Sequence, residues 1–293
     1  MNTIEKALQK NKSLEAKQKN NDIINAPKNQ QKKESTQSKT EDVLVPKQEL
    51  SLDSLKNIYV SNTGRQTINE EFRAIKRKVL SNAFGPLSKT LKNSNIIMVS
   101  SANPNEGKTF TAINLALSIA FEQDKTVLLV DADVLRPSVM KIIDQPFENG
   151  LMEYLLDEVD DLSKVILSTS LSTLRIIPAG KSHLLSTELL ASEKMYKTMT
   201  EFSNRYPDRI VIMDCPPLLG INETAILANL AGQALIVVQE GKTNLGDISR
   251  AVEHLNPDMA KGFVVNKAQL NSGEGSGYNG YYYGSNEVES GKK

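Results

Sequence analysis

The sequence predicts an α/β fold in which a doubly wound, mostly parallel sheet is covered by helices on both faces. Short apolar runs alternate with stretches of helical periodicity between about residues 51 and 270, as in sheets built from crossover units. One run leads directly into a loop containing glycine and lysine and then into a helix, over residues 96–121. Acidic residues end two other runs, at the edge of a parallel sheet where ligands bind.

The individual elements follow from the period of the apolar residues. The predicted strands are residues 96–100, 127–131, 174–178, 210–214, 235–239 and 262–266. The predicted helices are residues 68–83, 108–121, 137–143, 151–156, 194–206, 223–229 and 245–254. Together they make up one predicted domain over residues 51–270.

Both ends of the chain differ from this domain in composition. Residues 1–16 place Ile4, Ala7 and Leu8 at roughly helical spacing, which predicts a short amphipathic helix. Residues 17–50 are rich in Asn, Gln, Lys and Ser, and we expect a disordered linker because such a segment buries little apolar area. Residues 271–293 are rich in Gly, Ser, Asn and Tyr and are predicted to form a flexible tail.

The composition argues against several classes of protein. Lys and Arg number 35, as do Asp and Glu, so no overall field favours nucleic acid. Cys215 is the single cysteine, which excludes a disulfide framework and fits a reducing compartment. No apolar run reaches the roughly 18 residues expected of a membrane span. The sequence therefore predicts a cytoplasmic protein with no nucleic-acid partner.

The loop after the first predicted strand has the spacing of a phosphate-binding loop. Ala102 is followed, after four residues, by Gly107, Lys108 and Thr109, with alanine in place of the motif's first glycine. Backbone N–H groups and the helix N-terminus are expected to hold the β-phosphate. Lys108 is expected to reach the β- and γ-phosphates, and the Thr109 hydroxyl to bind Mg²⁺. The alternative is a chance Gly-Lys-Thr in a turn.

Further residues near this loop complete the predicted nucleotide site. Arg136 follows an acidic motif and is a candidate partner for phosphate or carboxylate. Asn266 ends the last predicted strand, where it either contacts the adenine or forms a turn. The predicted nucleotide-binding residues are Asn105, Glu106, Gly107, Lys108, Thr109, Phe110, Arg136 and Asn266.

Three aspartates end two buried strands. Asp131 and Asp133 follow one apolar run, and Asp214 follows another. Carboxylates beside a phosphate-binding loop are suited to Mg²⁺, so Thr109, Asp133 and Asp214 are the predicted metal ligands. Asp131 is predicted to orient the phosphate acceptor, which makes Lys108 and the three aspartates the candidate catalytic residues. For any one aspartate, a helix N-cap is the alternative.

The tail contains a cluster of four tyrosines, Tyr278, Tyr281, Tyr282 and Tyr283. Nothing nearby in the sequence could bury them, whereas a flexible tail could reach an active site. Each phosphate added there would contribute about −1.5 to −2 charges. We therefore predict that these tyrosines are phosphate acceptors. The alternative is an adhesive, low-complexity tail.

The motifs in combination resemble those of the bacterial protein tyrosine kinases, the BY-kinases. The resemblance covers about residues 55–285 and rests on A-N-P-N-E-G-K-T, D-A-D-V-L-R-P, I-M-D-C-P-P and the terminal tyrosines. The opening M-N-T-I-E-K-A-L and the segment 68–77 are similar to the exosortase-associated tyrosine autokinases of exopolysaccharide loci. By this resemblance Gly107, Lys108 and Thr109 are Walker A residues, Asp131 and Asp133 a second Walker-type motif, and Asp214 the Walker B aspartate.

The resemblance implies a P-loop fold of the Min and Par type, ATP and Mg²⁺ as cofactors, and autophosphorylation on tyrosine. It also implies ring-like homo-oligomers, in which one subunit modifies another's tail and phosphorylation separates the subunits. A polysaccharide chain-length-determinant membrane protein is the implied partner. The protein would then lie at the inner face of the plasma membrane through that partner.

The predicted oligomer interface departs from the family pattern. The family motif is Glu-x-x-Arg-x-x-Arg, whereas Glu70 and Arg73 are followed by Lys76, with Arg77 one place late. Arginine can pair with a carboxylate through two hydrogen bonds at once, whereas lysine cannot. The implied interface would therefore use a residue with a different pairing geometry. Glu70, Arg73 and Lys76 are predicted to face a neighbouring subunit, and the alternative is a solvated helix face.

Two other functions are compatible with the motifs. A Min- or Par-type positioning ATPase would transfer phosphate to water, but its signature lysine position, five residues before Lys108, holds Asn103. A catalytically idle, nucleotide-gated adaptor would regulate polysaccharide assembly by binding alone. The intact loop and the three aspartates favour an active enzyme.

Overall fold

The computed structural model describes residues 49–50 and 66–268. The predicted N-terminal helix, the tyrosine-rich tail and all but the last two residues of the predicted linker lie outside these residues. Within the described part of the chain, no helix is both long and apolar enough to cross a membrane.

The described strands form one sheet of eight strands, in the order β1-β4-β5-β3-β6-β2-β7-β8. All neighbouring pairs in it are parallel except β4 and β5. The strands are β1 (Glu49–Leu50), β2 (Ile96–Ser101), β3 (Thr126–Asp131), β4 (Leu167–Thr169), β5 (Leu174–Ile177), β6 (Arg209–Asp214), β7 (Gln233–Gln239) and β8 (Ala260–Asn266).

The α-helices of the described residues connect these strands in the crossover pattern predicted from the sequence. They are α1 (Gln66–Phe84), α2 (Lys108–Ala120), α3 (Val139–Ile143), α4 (Leu151–Leu155), α5 (Ser186–Leu190), α6 (Glu193–Asn204), α7 (Asn222–Ala228) and α8 (Leu245–Glu253). Two short 3₁₀ helices span Pro86–Thr90 and Leu162–Lys164.

Alternating side chains of the central strands fill two separate cores, one on each face of the sheet. In β2, Ile96 and Met98 belong to one hydrophobic cluster and Ile97 and Val99 to the other, and all four are fully buried. A strand with both faces covered reads as a continuous apolar run, which is why β2, β3 and β6 were predictable. The mostly parallel, doubly covered sheet is confirmed.

The strand order brings the three chemical motifs of the sequence to one edge. β6 lies between β3 and β2, and the register pairs Asp131 with Asp214 and Asp214 with Val99. The phosphate-binding loop leaves β2 just beyond this point, at Ser101. The two acidic strand ends and the loop are therefore neighbours at the carboxyl edge of the sheet.

The structure adds elements that periodicity does not reveal. β4 runs antiparallel to β5 and contains three residues, two of them polar. β1 falls within the predicted linker, where Leu50 is buried and pairs with Thr169. A strand of two residues with one apolar side chain gives no periodic signal, and its partner lies more than a hundred residues away in the chain.

Candidate functional site

The phosphate-binding loop joins β2 to α2 and depends on two left-handed backbone positions. Asn105 has φ of 64° and Gly107 has φ of 102°, a region that favours glycine. A Cβ atom at Gly107 would also collide with the Nδ2 atom of Asn266. The loop therefore turns sharply into α2, whose N-terminal N–H groups form a site suited to anions.

Lys108 lies between the two acidic strand ends. Its Nζ atom donates to Oδ2 of Asp133 at 2.6 Å and lies 3.8 Å from Oδ1 of Asp214. Burial opposes the charge on this lysine, but the carboxylates of Asp214 and Asp133 outweigh it and raise the pKa of Lys108 above its ordinary value. The lysine is therefore held charged at the centre of the site.

Asp214 is the most isolated of the three carboxylates. It is fully buried, and neither of its oxygen atoms accepts a hydrogen bond. Burial raises the pKa of Asp214 to about 6, although Lys108 and Thr109 lie close enough to oppose the shift. A buried carboxylate without hydrogen-bond partners is costly, so this group is suited to receive a cation.

The donor atoms around Asp214 fit Mg²⁺ bound together with a nucleotide. The hydroxyls of Thr109 and Ser138 lie 2.8 Å apart, and Asp133 accepts the N–H of Arg136 through Oδ1 at 3.0 Å. The described residues hold no group of three or more His, Cys, Asp or Glu arranged to bind a metal alone. Mg²⁺ characteristically takes one or two carboxylates and completes its shell with phosphate and water.

Asp131 is fully buried, and its carboxylate accepts three backbone N–H groups. Oδ1 accepts from Asp133 at 3.2 Å, and Oδ2 accepts from Ser138 and Val139 at 3.1 and 3.0 Å. It therefore holds the start of α3, although the N-cap residue of that helix is Ser138 and not the aspartate itself. Burial and the charge of Asp214 nevertheless raise the pKa of Asp131 to about 7.

A cleft of about 610 Å³ opens over the loop and the start of α2. Seven of the predicted site residues line it: Asn105, Gly107, Lys108, Thr109, Phe110, Asp133 and Arg136. Asp131, Asp214, Glu106 and Asn266 lie outside its wall. The remaining lining residues were not predicted: Pro104, Leu135, Ser138, Ile142, Pro216, Pro217, Leu219, Ile221 and Lys267. The cleft thus has a charged floor and a largely apolar wall.

Glu106 and Asn266 support the loop from behind. The Glu106 carboxylate accepts the N–H of Asn103 at 3.0 Å and the hydroxyl of Thr243 at 2.5 Å, and the side chain is almost completely buried. Asn266 donates to the backbone carbonyl of Glu106 at 2.7 Å, and Lys267 to that of Asn105 at 2.7 Å. In this arrangement only the backbone of Glu106 is available to a phosphate.

The three residues of the predicted interface are not equivalent in the structure. Glu70 and Arg73 form an ion pair on the exposed face of α1. Lys76 instead pairs with Glu122 and donates to the carbonyl of Ser118 at 3.2 Å, with its side chain only 12% exposed. The lysine therefore ties α1 to the end of α2, and only Glu70 and Arg73 face outward.

Cys215 follows Asp214 and is buried. Its N–H donates to the carbonyl of Val99 at 2.9 Å, and burial raises the pKa of its thiol well above the ordinary value. A protonated, inaccessible thiol is a poor nucleophile, which agrees with a packing role.

The raised pKa values of Asp131 and Asp214 predict how the stability of the metal-free protein depends on pH. Both groups keep a proton in the folded state at pH values where the unfolded chain has lost it. The free energy of unfolding should therefore fall as the pH rises from about 4 to about 7, with a slope of up to about 1.4 kcal/mol per pH unit for each group.

Urea denaturation in EDTA at pH 5, 6, 7 and 8 measures this slope, and Asp131→Asn is the comparison variant. The variant should show a shallower fall over the same range, because one of the two titrating groups is gone. Equal slopes in the two proteins would contradict the assignment of a raised pKa to Asp131.

Together, the parallel sheet, the loop and the acidic strand ends define a P-loop nucleotide-binding protein. A family model described as "AAA domain" matches residues 94–260. The chain belongs to this AAA domain family.

Relatives with assigned names agree with the predicted resemblance. The chain is 29% identical over 227 residues to the tyrosine-protein kinase YwqD of Bacillus subtilis, covering 77% of this chain and 92% of YwqD. It is 32% identical over 174 residues to the tyrosine-protein kinase etk of Escherichia coli, covering 59% of this chain and 23% of etk. The match thus spans nearly all of YwqD but about a quarter of etk.

Comparison with solved structures agrees with the comparison with these relatives. The kinase domain of the Escherichia coli tyrosine kinase ETK is 27% identical, with a TM-score of 0.57 over 71% of this chain and 80% of that one. The chimerical protein CapA2B2 is 25% identical, with a TM-score of 0.63 over 74% of this chain and 91% of that one. The resemblance to bacterial tyrosine kinases of the exopolysaccharide type is confirmed.

Proposed function

We propose that the chain is an ATP-dependent protein tyrosine autokinase that phosphorylates its own terminal tyrosines, Tyr278, Tyr281, Tyr282 and Tyr283. The observation that carries the proposal is Lys108, held charged by Asp133 and Asp214 at the start of α2. The names of the relatives support tyrosine as the acceptor. The acceptor residues lie outside the described part of the chain.

The residues that line the cleft, together with Asp214 outside its wall, would each have a part in phosphoryl transfer. Lys108 and the N-terminal N–H groups of α2 would bind the phosphates and stabilise the charge that develops on them. Thr109, Asp133 and Asp214 would hold Mg²⁺, which neutralises charge on the phosphate oxygens. The apolar wall around Pro216 and Pro217 would exclude water, so that an entering tyrosine competes better as acceptor.

Asp131 has a modified role in this proposal. The sequence assigns it to the tyrosine hydroxyl, but its side chain lies behind the cleft wall and holds the start of α3. We therefore propose that it acts on the acceptor through Asp133, whose N–H it accepts. Asp133 lines the cleft and is the carboxylate that an acceptor hydroxyl would meet.

Lys108→Met tests the proposed function. Purified protein is incubated with Mg²⁺–ATP and examined by intact and tail-peptide mass spectrometry. We expect phosphate on the tail tyrosines of the wild type and none on the variant, because the phosphates lose their main cationic contact. Lys197→Met is the matched control, since Lys197 is an exposed residue of α6 paired with Glu193.

The alternatives predict other outcomes of the same experiment. Release of inorganic phosphate without tail modification would favour a Min- or Par-type ATPase. Against that alternative, Asn103 donates through its side chain to Asp247 at 3.2 Å and so belongs to the loop support. Absence of both activities, also with the partner's cytoplasmic segment added, would favour the idle adaptor.

Partner and location follow from the resemblance and are part of the proposal. A polysaccharide chain-length-determinant membrane protein would bind the kinase and hold it at the inner face of the plasma membrane. Regulation of exopolysaccharide synthesis or export would act through this partner. We expect the kinase to be recovered from membranes together with this partner. When the partner is deleted, the kinase should no longer be found in the membrane fraction.

Glu70→Ala tests the proposed homo-oligomer. Its carboxylate is exposed and pairs only along α1 with Arg73 within the described residues, so it is free to exchange that contact for an arginine of a second copy. We expect a smaller oligomer by light scattering, with unchanged thermal stability. Glu71→Ala, an exposed neighbour on the same helix, is the matched control and should leave the oligomer unchanged. If light scattering gives the same oligomer mass for the two variants, the proposed interface through Glu70 is contradicted.

A further inference from the structure

A second cleft, of about 670 Å³, lies at the edge of the sheet opposite the nucleotide cleft. Arg209 is the first residue of β6 and Arg175 the second residue of β5, whereas the phosphate-binding loop lies at the other ends of the strands. Arg205 and Tyr206, which follow α6, complete one wall. We call this site the arginine cleft, after Arg175, Arg205 and Arg209.

Two of the three arginines lack a carboxylate partner. Arg205 pairs with Glu201 at 2.5 Å. Arg175 donates to the hydroxyl of Ser168 at 2.6 Å, and Arg209 stacks on the ring of Tyr206 at 3.8 Å. Among the described residues, neither Arg175 nor Arg209 has a carboxylate oxygen within 4 Å.

The carboxylates that line the arginine cleft are already used elsewhere. Asp160 pairs with Lys164 at 2.6 Å. Asp161 accepts the N–H and hydroxyl of Ser163 at 2.8 and 2.7 Å. None of these acidic side chains forms an ion pair with Arg175 or Arg209, whose guanidinium groups stay open to another anion.

One donor atom of Arg209 has no hydrogen-bond acceptor in the described part of the chain. Its Nε atom is buried and donates no hydrogen bond, which is rare for a charged group because desolvation without a partner is costly. Burial lowers the pKa of Arg209, and the nearby charge of Arg175 lowers it further, while Tyr206 and Asp208 oppose the shift. The positive charges of Arg175 and Arg209 repel each other, and a bound anion would offset this repulsion.

The rest of the lining favours a phosphate carried on an aromatic ring. Tyr154, Leu162, Ile166 and Phe202 line the same cleft, beside the two arginines. Guanidinium groups bind phosphate oxygens bidentately, while the apolar side chains can pack against a ring. A bare inorganic ion would use only the charged half of this cleft.

We propose that the arginine cleft binds a phosphorylated tyrosine side chain, with the phosphate between Arg175 and Arg209 and the ring against the apolar lining. The biological source of this ligand rests on the proposed autokinase function, because phosphotyrosine is the product of that reaction. The cleft would then recognise the tails of phosphorylated copies at a distance from the active site.

The test uses a synthetic peptide of residues 275–286, labelled with fluorescein and carrying phosphate on the tyrosine at position 278. Its binding to the full chain is followed by fluorescence anisotropy. Since the phosphate is introduced chemically, the result does not depend on whether the protein is a kinase. We expect Arg175→Gln and Arg209→Gln each to weaken binding of the phosphopeptide at least about tenfold. The unphosphorylated peptide should bind the wild type no more tightly than the phosphopeptide binds these variants.

Controls separate this site from the others. Lys197→Gln removes an exposed positive charge of α6 outside the cleft, and Arg136→Gln alters the nucleotide cleft; both should bind the phosphopeptide like the wild type. Arg175→Lys keeps the charge but loses the fork and should bind with intermediate affinity. Loss of binding in Arg136→Gln alone would assign the peptide to the active site and overturn the proposal.

Small competitors identify the chemistry recognised. Phenyl phosphate should displace the peptide at lower concentration than inorganic phosphate, because only the former offers a ring. Equal displacement by the two would reduce the cleft to a general anion site and contradict recognition of phosphotyrosine.

Discussion

Replacing Asp214 with asparagine is expected to abolish tail phosphorylation while leaving the metal-free protein at least as stable as the wild type. The carboxylate is the only one of the three whose oxygens accept no hydrogen bond, and its loss would remove a charged ligand from the proposed Mg²⁺ site. Several kcal/mol of transition-state stabilisation depend on such an ion, so the rate should fall about a thousandfold or more.

Stability should change in the opposite direction, because burial disfavours the charge. The pKa of Asp214 is raised to about 6, so at pH 8 the folded wild type holds an ionised group that costs on the order of 1–3 kcal/mol. Asparagine removes that cost, and Lys108 keeps its contact with Asp133. At pH 5 the wild-type carboxyl is neutral, and the two proteins should unfold at similar urea concentrations.

Kinetic assays with Mg²⁺–ATP and urea denaturation at pH 5 and pH 8 measure both effects. A catalytic loss accompanied by a large loss of stability at pH 8 would mean that Asp214 holds the fold rather than the metal. Retention of tail phosphorylation in the variant would exclude Asp214 from the reaction.

Gly107→Ala is expected to impair the nucleotide site through backbone strain and collision together. The position has φ of 102°, which L-residues rarely adopt, and the new Cβ would run into the side-chain amide of Asn266. A strained position of this kind costs about 1–3 kcal/mol. We expect that loss in the free energy of unfolding and at least about tenfold weaker binding of Mg²⁺–ATP, since the loop N–H groups move.

Two further variants separate the causes. Gly246→Ala is the matched control, because Gly246 lies exposed in α8 and an added Cβ meets only the side-chain oxygen of Asn244 at 3.2 Å. Adding Asn266→Ala to Gly107→Ala removes the collision but not the strain. Full recovery of ATP binding in the double variant would assign the effect to Asn266 alone.

The central part of the site was predictable because its residues lie within short segments. Gly107, Lys108 and Thr109 are consecutive. Asp131 and Asp214 each end a strand with a clear apolar run, and Asp133 follows Asp131 two residues later. Parallel strands that are both adjacent and buried must deliver their carboxyl ends to one edge. No knowledge of distant contacts was needed to expect these residues together.

The support around the site was not predictable, because it joins residues far apart in the chain. Glu106 accepts from Thr243, 137 positions away, and Thr109 meets Ser138, 29 positions away. A buried glutamate inside a nucleotide motif looks like a ligand in the sequence. Only the fold shows that its carboxylate already accepts hydrogen bonds from Asn103 and Thr243.

The helix α1 illustrates the same limit. Spacing correctly places Glu70, Arg73 and Lys76 along one helix, but periodicity does not reveal that Lys76 has a partner in Glu122, beyond the end of α2. The arginine cleft gave no signal either, since Arg175 and Arg209 sit in different strands with β3 between them. Charges that meet across a sheet need the strand order before they can be interpreted.

Cys215 makes the protein convenient for site-specific labelling. It is the chain's single cysteine, its thiol is buried, and its raised pKa keeps it protonated. A maleimide dye will therefore react selectively with a cysteine introduced at an exposed position such as Leu184, whose side chain is fully exposed. Fluorescence from one chosen point can then report binding of a peptide or of a second copy of the chain, without first removing the native thiol beside Asp214.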